Sequence, residues 1–297
     1  MRSSRRGFLK SSVAAAAVLG GAGGATALPA TKRTATDWVT LGRSGVQVTR
    51  LAFGTGTFSG QVQRDLGQQQ FTRLVRYAYD RGIRFFETAD SYHGMPQMLA
   101  IALKGIPRDS YRLMTKYNTH ETENPAATID RLRSDLGTEY VDIMLLHCVR
   151  SPTWPKDLEP LADQFSEAKS KKIILSHGAS VHGLPALRAF PGEQWVDIAM
   201  IRMNHNGTHM DTPDTHDTSA RGSVTEVVEH TKQVHAQGAG VISMKLVGEG
   251  QFTRAEDRDA SMRFAMNLGA VDAVTLGFKN TAEIDEAIER MNRVMNA

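Results

Sequence analysis

Glu87, Tyr92, Lys116 and His147 offer a carboxylate, a phenol, an ammonium and an imidazole, each at or just beyond the end of an apolar run. A phenol with a pKa near 10 is a poor proton donor or acceptor at neutral pH unless a nearby cation favours its anion, and a close lysine does so. A carboxylate holds that lysine charged and oriented, and a histidine can hydrogen-bond a carbonyl oxygen. Together the groups suit reversible protonation of an oxygen during hydride transfer. Taken singly, each also has an ordinary reading: an aromatic filling a loop, a solvated charge, a satisfied strand-end imidazole. The chemistry therefore depends on whether the fold makes the four converge.

The segments that carry them alternate between strand-like and helix-like patterns. Strands are expected at 50–54, 83–89, 111–116, 141–147, 173–178, 196–203, 240–246 and 273–277. Helices are expected at 68–81, 96–104, 125–136, 158–171, 224–237, 256–268 and 281–295, with Asn124 before Pro125 as a helix start. Asn280 with Glu283 three residues on forms a capping box for the last helix. The run 141–147 is almost continuously apolar, as a strand covered on both faces requires. Eight strand-helix repeats over about 250 residues predict an α/β fold, a closed (β/α)8 TIM barrel. A doubly wound open sheet is the runner-up, but Gly54-Thr55-Gly56-Thr57 does not continue into a dinucleotide-binding glycine fingerprint. In a barrel, Glu87, Lys116 and His147 share the C-terminal rim.

These segments resemble the aldo-keto reductase family. Glu87-Thr88-Ala89-Asp90-Ser91-Tyr92 is similar to its Asp-Thr-Ala-x-x-Tyr-Gly signature, Met114-Thr115-Lys116 to its lysine strand, and Asp142-Ile143-Met144-Leu145-Leu146-His147 to its histidine strand. Leu41-Gly42-Arg43-Ser44-Gly45 and Leu51-Ala52-Phe53-Gly54-Thr55 resemble its first hairpin and strand, and the likeness runs from about Val39 to the C-terminus. It implies Tyr92 as general acid, Lys116 as the group that lowers its pKa, His147 as carbonyl orienter and Glu87 as partner of Lys116. The family has aspartate where this chain has Glu87; the added methylene shifts a carboxylate by about 1 Å, and Asp90 is an alternative partner for the lysine.

The resemblance also implies a cofactor, NADP, held by Gly54, Thr55, Ser180, Met200, Met244, Lys245, Gly277, Lys279, Asn280 and Glu283. Ser180 matches a residue that holds the nicotinamide amide, although Val181 replaces the asparagine that follows it. Met200 stands where many members have glutamine. Met244 replaces a ring-stacking tyrosine, and a thioether can cover a ring face. Lys245 is expected at the pyrophosphate. Lys279, before a helix start, favours NADP over NAD, and Ala287 replaces an asparagine often turned toward adenine.

The N-terminus reads differently from the body. Two adjacent arginines, Arg5 and Arg6, precede Phe8-Leu9-Lys10, a weakly apolar Ala/Gly stretch and Ala25-Thr26-Ala27. This resembles a twin-arginine signal, with cleavage after Ala27, a periplasmic or otherwise exported product, and the twin-arginine translocation machinery as a transient partner. Residues 28–37 read as a polar linker and 38–297 as the barrel. The pI of about 9.0 reflects that leader: removing Arg2, Arg5, Arg6 and Lys10 from the formal +3 leaves −1. No basic surface for nucleic acid is expected, and no run in the body is long enough for stable membrane insertion. The single cysteine, Cys148, allows no internal disulfide and reads as a small buried hydrophobe.

Residues 204–222 form an insertion with His205, His209, Asp211, Asp214, His216 and Asp217. Their spacing fits no metal motif, so a flexible polar loop facing substrate is preferred to a metal site. Three functions compete: an oxidoreductase for a small-molecule carbonyl or alcohol substrate, a non-catalytic barrel that binds a ligand or dinucleotide, and, more remotely, a metal-assisted hydrolase using that loop.

Overall fold

The computed structural model describes residues 32–121, 123–213 and 220–297. The twin-arginine segment and Asp214, His216 and Asp217 of the insertion lie outside the described residues.

A hairpin of β1 (Trp38–Thr40) and β2 (Gln47–Thr49) comes first, followed by β3 (Leu51–Gly54), the first strand of the barrel. The helices α1 (Gln61–Arg64) and α2 (Gly67–Asp80) lead to β4 (Phe85–Glu87), α3 (Met95–Leu103) to β5 (Arg112–Asn118), and α4 (Pro125–Asp135) to β6 (Val141–Val149). From there α5 (Trp154–Asp157) and α6 (Glu159–Ser170) reach β7 (Ile174–Val181), and α7 (Leu184–Arg188) reaches β8 (Ile198–Arg202). Finally α8 (Val224–Ala236) precedes β9 (Gly240–Met244), α9 (Ala255–Asn267) precedes β10 (Ala273–Gly277), and α10 (Thr281–Met295) closes the chain. The strands pair in the order β10-β3-β4-β5-β6-β7-β8-β9 and close on themselves, so the fold is the (β/α)8 TIM barrel and not an open sheet.

Period-two alternation divides the strand side chains between two cores. Ala52, Phe85, Met114, Ile143, Leu145, Ile198, Met200, Ile242, Met244 and Ala273 fill the barrel, with Leu41, Val46 and Val48 of the hairpin packed in the same cluster. Their neighbours, such as Phe53, Phe86, Leu113 and Ile201, face the helices. In β7 the inward position 178 must be glycine, because a Cβ there would lie 1.8 Å from the Ile198 carbonyl oxygen.

Local signals set the helix starts. Asn124 Oδ1 accepts from the Ala127 amide at 3.2 Å ahead of Pro125, and Asn280 Oδ1 accepts from the Glu283 amide at 2.9 Å. The return arm of that cap goes one residue further out than expected, Glu283 Oε2 accepting from the Lys279 amide at 2.9 Å. The helix α7 was not legible: its five residues are too few for a helical period to register. The strand expected at 83–89 is confined to Phe85–Glu87, whereas β6 runs beyond His147 through a register shift between Leu146 and Val149. The segment expected as linker is docked from Arg33 onward, the Ala35 amide donating to Asn292 Oδ1 at 2.7 Å and the Arg33 amide to Asn296 Oδ1 at 3.0 Å.

Candidate active site

Lys116 lies on β5 with its side chain 1% exposed. An ammonium has three hydrogens, and each has a partner here: Glu87 Oε1, the Thr88 carbonyl at 2.9 Å and the Tyr92 hydroxyl at 3.2 Å. Glu87 ends β4, and its other oxygen, Oε2, accepts from Thr275 Oγ1 of β10 at 3.4 Å. The longer side chain therefore still reaches the lysine. Asp90 takes no part in this: Arg131 grips it through both terminal nitrogens at 2.9 and 3.1 Å.

Tyr92 sits in the turn between β4 and α3, fixed by its amide to the Ala89 carbonyl at 3.1 Å and its own carbonyl to the Met95 amide at 2.8 Å. The ring fits against Gly56, where a Cβ would come 2.6 Å from the hydroxyl. His147 meets the ring edge-on at 5.6 Å between centroids. Its Nδ1 pairs with Ser91 Oγ at 3.1 Å, which leaves Nε2 for another partner.

The electrostatics differ from the sequence expectation in one respect. Burial pushes the Tyr92 phenol well above 10, and the negative charges of Glu87, Cys148 and Glu249 add to the rise. The expected lowering by Lys116 does not prevail, because the ammonium is already matched by Glu87 in a dry site. Burial also pulls Lys116 below its ordinary value, with Glu87 opposing. His147 is held well below 6.5 by burial, then by Lys116 and Arg150, so its imidazole is neutral.

Two adjoining cavities open beside this cluster. The smaller, about 80 Å³, has Gly54, Glu87, Tyr92, Met200, Met244, Lys245 and Gly277 on its wall. The larger, about 510 Å³, extends past Gly277, Lys279, Glu283 and Ala287. Thr57, Val247, Glu249, Leu276 and Gly277 belong to both. Together they form one cleft beside the cluster. Ser180, next to last in β7 and beside Met200 in register, is on neither cavity wall, and its buried Oγ has no hydrogen-bond partner within the protein.

Other expected contact residues have partners within the protein. Thr55 is absent from both cavity walls, and its hydroxyl goes to the Glu87 carbonyl at 3.0 Å. Asn280 caps α10. Lys245 Nζ is held by Glu249 Oε1 at 2.7 Å, while Lys279 is 63% exposed on its side chain with Nζ 3.8 Å from Glu283.

Sequence reasoning missed Glu249, Arg258 and Arg290 of the cleft. Glu249 lay between Gly248 and Gly250, a turn signal that could have flagged it; the arginines had none. His182 was also missed, its ring 6.2 Å from that of His147 and its Nδ1 3.3 Å from Cys148 Sγ. The insertion shows separate partners: Asp211 pairs with Arg202 at 2.6 Å, His205 lies 3.9 Å from Asp257, and His209 3.6 Å from Glu249. Among the described residues no three His, Cys, Asp or Glu side chains are grouped to hold a metal, and no helix is long and apolar enough to cross a membrane.

Known proteins resemble this chain in sequence and fold. A probable aldo-keto reductase 1 of Glycine max is 30% identical over 155 residues, 48% of this chain and 45% of that protein. The glycerol 2-dehydrogenase (NADP(+)) of Saccharomyces cerevisiae is 28% identical over 134 residues, 45% of this chain and 38% of that protein. The chain thus spans under half the length of these curated relatives. Among solved structures, an aldo-keto reductase from Bacillus halodurans in its holo form superposes with a TM-score of 0.69 at 16% identity, covering 88% of this chain and 95% of that one. A sequence model described as the aldo/keto reductase family matches residues 50–296. With a closed barrel, a rim that gathers Glu87, Tyr92, Lys116 and His147, and a family match over most of its length, the chain belongs to the aldo/keto reductase family.

Proposed function

We propose that the protein is an NADP(H)-dependent oxidoreductase that interconverts a small-molecule carbonyl compound and its alcohol, with Tyr92 as general acid and base. The observation that carries this is the buried Lys116 ammonium, which holds the Tyr92 hydroxyl and Glu87 together at the cavity wall. Two adjoining cavities, with glycines at 54 and 277 bringing backbone to the wall, support a dinucleotide as the ligand. The unpartnered Ser180 hydroxyl suits an amide. Met200 and Met244 would flank the nicotinamide, and Lys279, Arg258 and Arg290 lie toward the adenosine end. The NADP(+) specificity in the name of the yeast relative points to the same cofactor.

Bound NADP(H) supplies or accepts the hydride. The chain's own residues handle the oxygen. A substrate carbonyl oxygen accepts hydrogen bonds from the Tyr92 hydroxyl and from Nε2 of neutral His147, whose other nitrogen is occupied by Ser91. As negative charge grows on that oxygen, Tyr92 gives it a proton, and the Lys116 ammonium, already donating toward the phenolic oxygen, stabilises the charge left behind. Burial of the cluster excludes water and strengthens each of these interactions. The test is consumption of NADPH with a panel of aldehydes and ketones by purified protein and by Tyr92→Phe. Turnover that Tyr92→Phe abolishes supports the reading; no turnover with any substrate, or equal turnover in the variant, removes it.

We also propose that residues 1–27 direct export through the twin-arginine machinery and that the folded product is periplasmic or otherwise exported. The order of arginine pair, weakly apolar stretch and Ala25-Thr26-Ala27 supports this. Arg5→Lys with Arg6→Lys should retain the protein in the cytoplasm, and the exported form should begin at Leu28.

A further inference from the structure

One carboxylate stands where the two cavities of the cleft meet. Glu249 lines both cavities. Its Oε1 accepts from Lys245 Nζ at 2.7 Å, and the backbone of Phe58, in the loop after β3, also favours its charged form. His209 Nδ1 stands 3.6 Å from Oε2, and His209 is itself held by Gln251 at 2.8 Å. The backbone on both sides is strained. Of the seven described non-glycine residues with positive φ, Phe58, Ser59, Lys245 and Glu249 lie in these two loops and His209 touches them. Such strain persists only where surrounding contacts hold it, and it gathers at ligand clamps.

The carboxylate thus occupies a place furnished with the Lys245 ammonium and the nearby Phe58 backbone, surroundings that suit a phosphate oxygen as well as a carboxylate. This place lies where the smaller cavity at Tyr92 meets the larger one, the position at which a dinucleotide spanning both would carry its bridging phosphates. We propose that Glu249 is an internal occupant of the phosphate position, displaced from Lys245 and the Phe58 backbone when the cofactor binds, and that it thereby sets cofactor affinity. The inference rests on the NADP reading of the cleft. Glu249 is a specificity-determining residue in this scheme and touches no reacting atom.

The test is the dissociation constant for NADPH, read from its fluorescence, in the full mature protein and in Glu249→Gln, Glu249→Ala and Lys245→Met, with uncharged adenosine as a second probe and thermal unfolding as the check of folding. Removing the competing charge should tighten NADPH binding about tenfold in both Glu249 variants and leave adenosine unchanged, while Lys245→Met should weaken NADPH about tenfold. Two Glu249 variants are used so that misfolding of one leaves the other to decide. Equal or weaker NADPH binding in a folded Glu249 variant, beside measurable binding by the parent, overturns this inference alone. A parallel gain for adenosine also overturns it, since the effect would then not arise from phosphate charge. No NADPH binding by the parent or any variant overturns the cofactor reading and this inference with it.

Discussion

Lys116 Nζ lies 3.2 Å from the Tyr92 hydroxyl, and the ammonium's remaining hydrogens go to Glu87 and the Thr88 carbonyl. This leaves the lysine no rotational freedom, so its charge is fixed relative to the phenol before any substrate arrives. Tyr92→Phe removes only the hydroxyl. It should lower kcat by about 10²- to 10⁴-fold while leaving the NADPH dissociation constant within about twofold. Steady-state kinetics with a fluorescence titration of cofactor checks both halves.

The pair also bears on stability. Glu87→Gln leaves the Lys116 ammonium buried without its counter-charge, and the expected loss is about 3–5 kcal/mol in denaturant unfolding. Lys116→Met together with Glu87→Gln should recover part of that loss, because the charge that lacks a partner is gone. A double variant no more stable than Glu87→Gln would count against this account.

The pH profile should differ between the two directions of reaction. The Tyr92 phenol is raised well above 10 by burial and then by neighbouring negative charges, so it stays protonated through the neutral range and reduction should be flat there. Oxidation of an alcohol needs the phenolate and should accelerate as pH rises. Reduction should fall on the acid side only where His147 gains a proton, well below 6.5, since burial, Lys116 and Arg150 oppose its charging. Initial rates in both directions across pH test the assignment.

His177 gives a pH prediction remote from the rim. Burial holds it at about 4, with Asp197 opposing, and the ring stacks on Trp195 at 4.5 Å. The unfolded chain binds this proton near 6.5 and the folded chain only near 4, so stability is full above about 6.5 and is lost as pH falls toward 4. The loss from this group is on the order of 3 kcal/mol. His177→Gln should flatten that part of the dependence of Tm on pH, and an unchanged slope would place the acid sensitivity in other groups.

Much of this protein was legible in its residues. The alternation of apolar runs, the glycines and the helix caps at Asn124 and Asn280 are local, and they specified the (β/α)8 order because strand and helix periods and end signals depend on near neighbours. The spacing of Glu87, Tyr92, Lys116 and His147 put each at or just beyond the end of an apolar run, and closure of the barrel made those ends neighbours. Contacts between distant segments could not be read in this way. Whether Glu87 or Asp90 took the lysine was decided by Arg131, from α4, claiming Asp90. Whether the phenol rose or fell was decided by how deeply the cluster is buried, a property of the packed whole. That the Phe58 backbone comes to act on Glu249 follows from two loops, after β3 and β9, approaching one another. Desolvation and long-range contact energies arise only once the chain has closed on itself, so only the tertiary structure decided them.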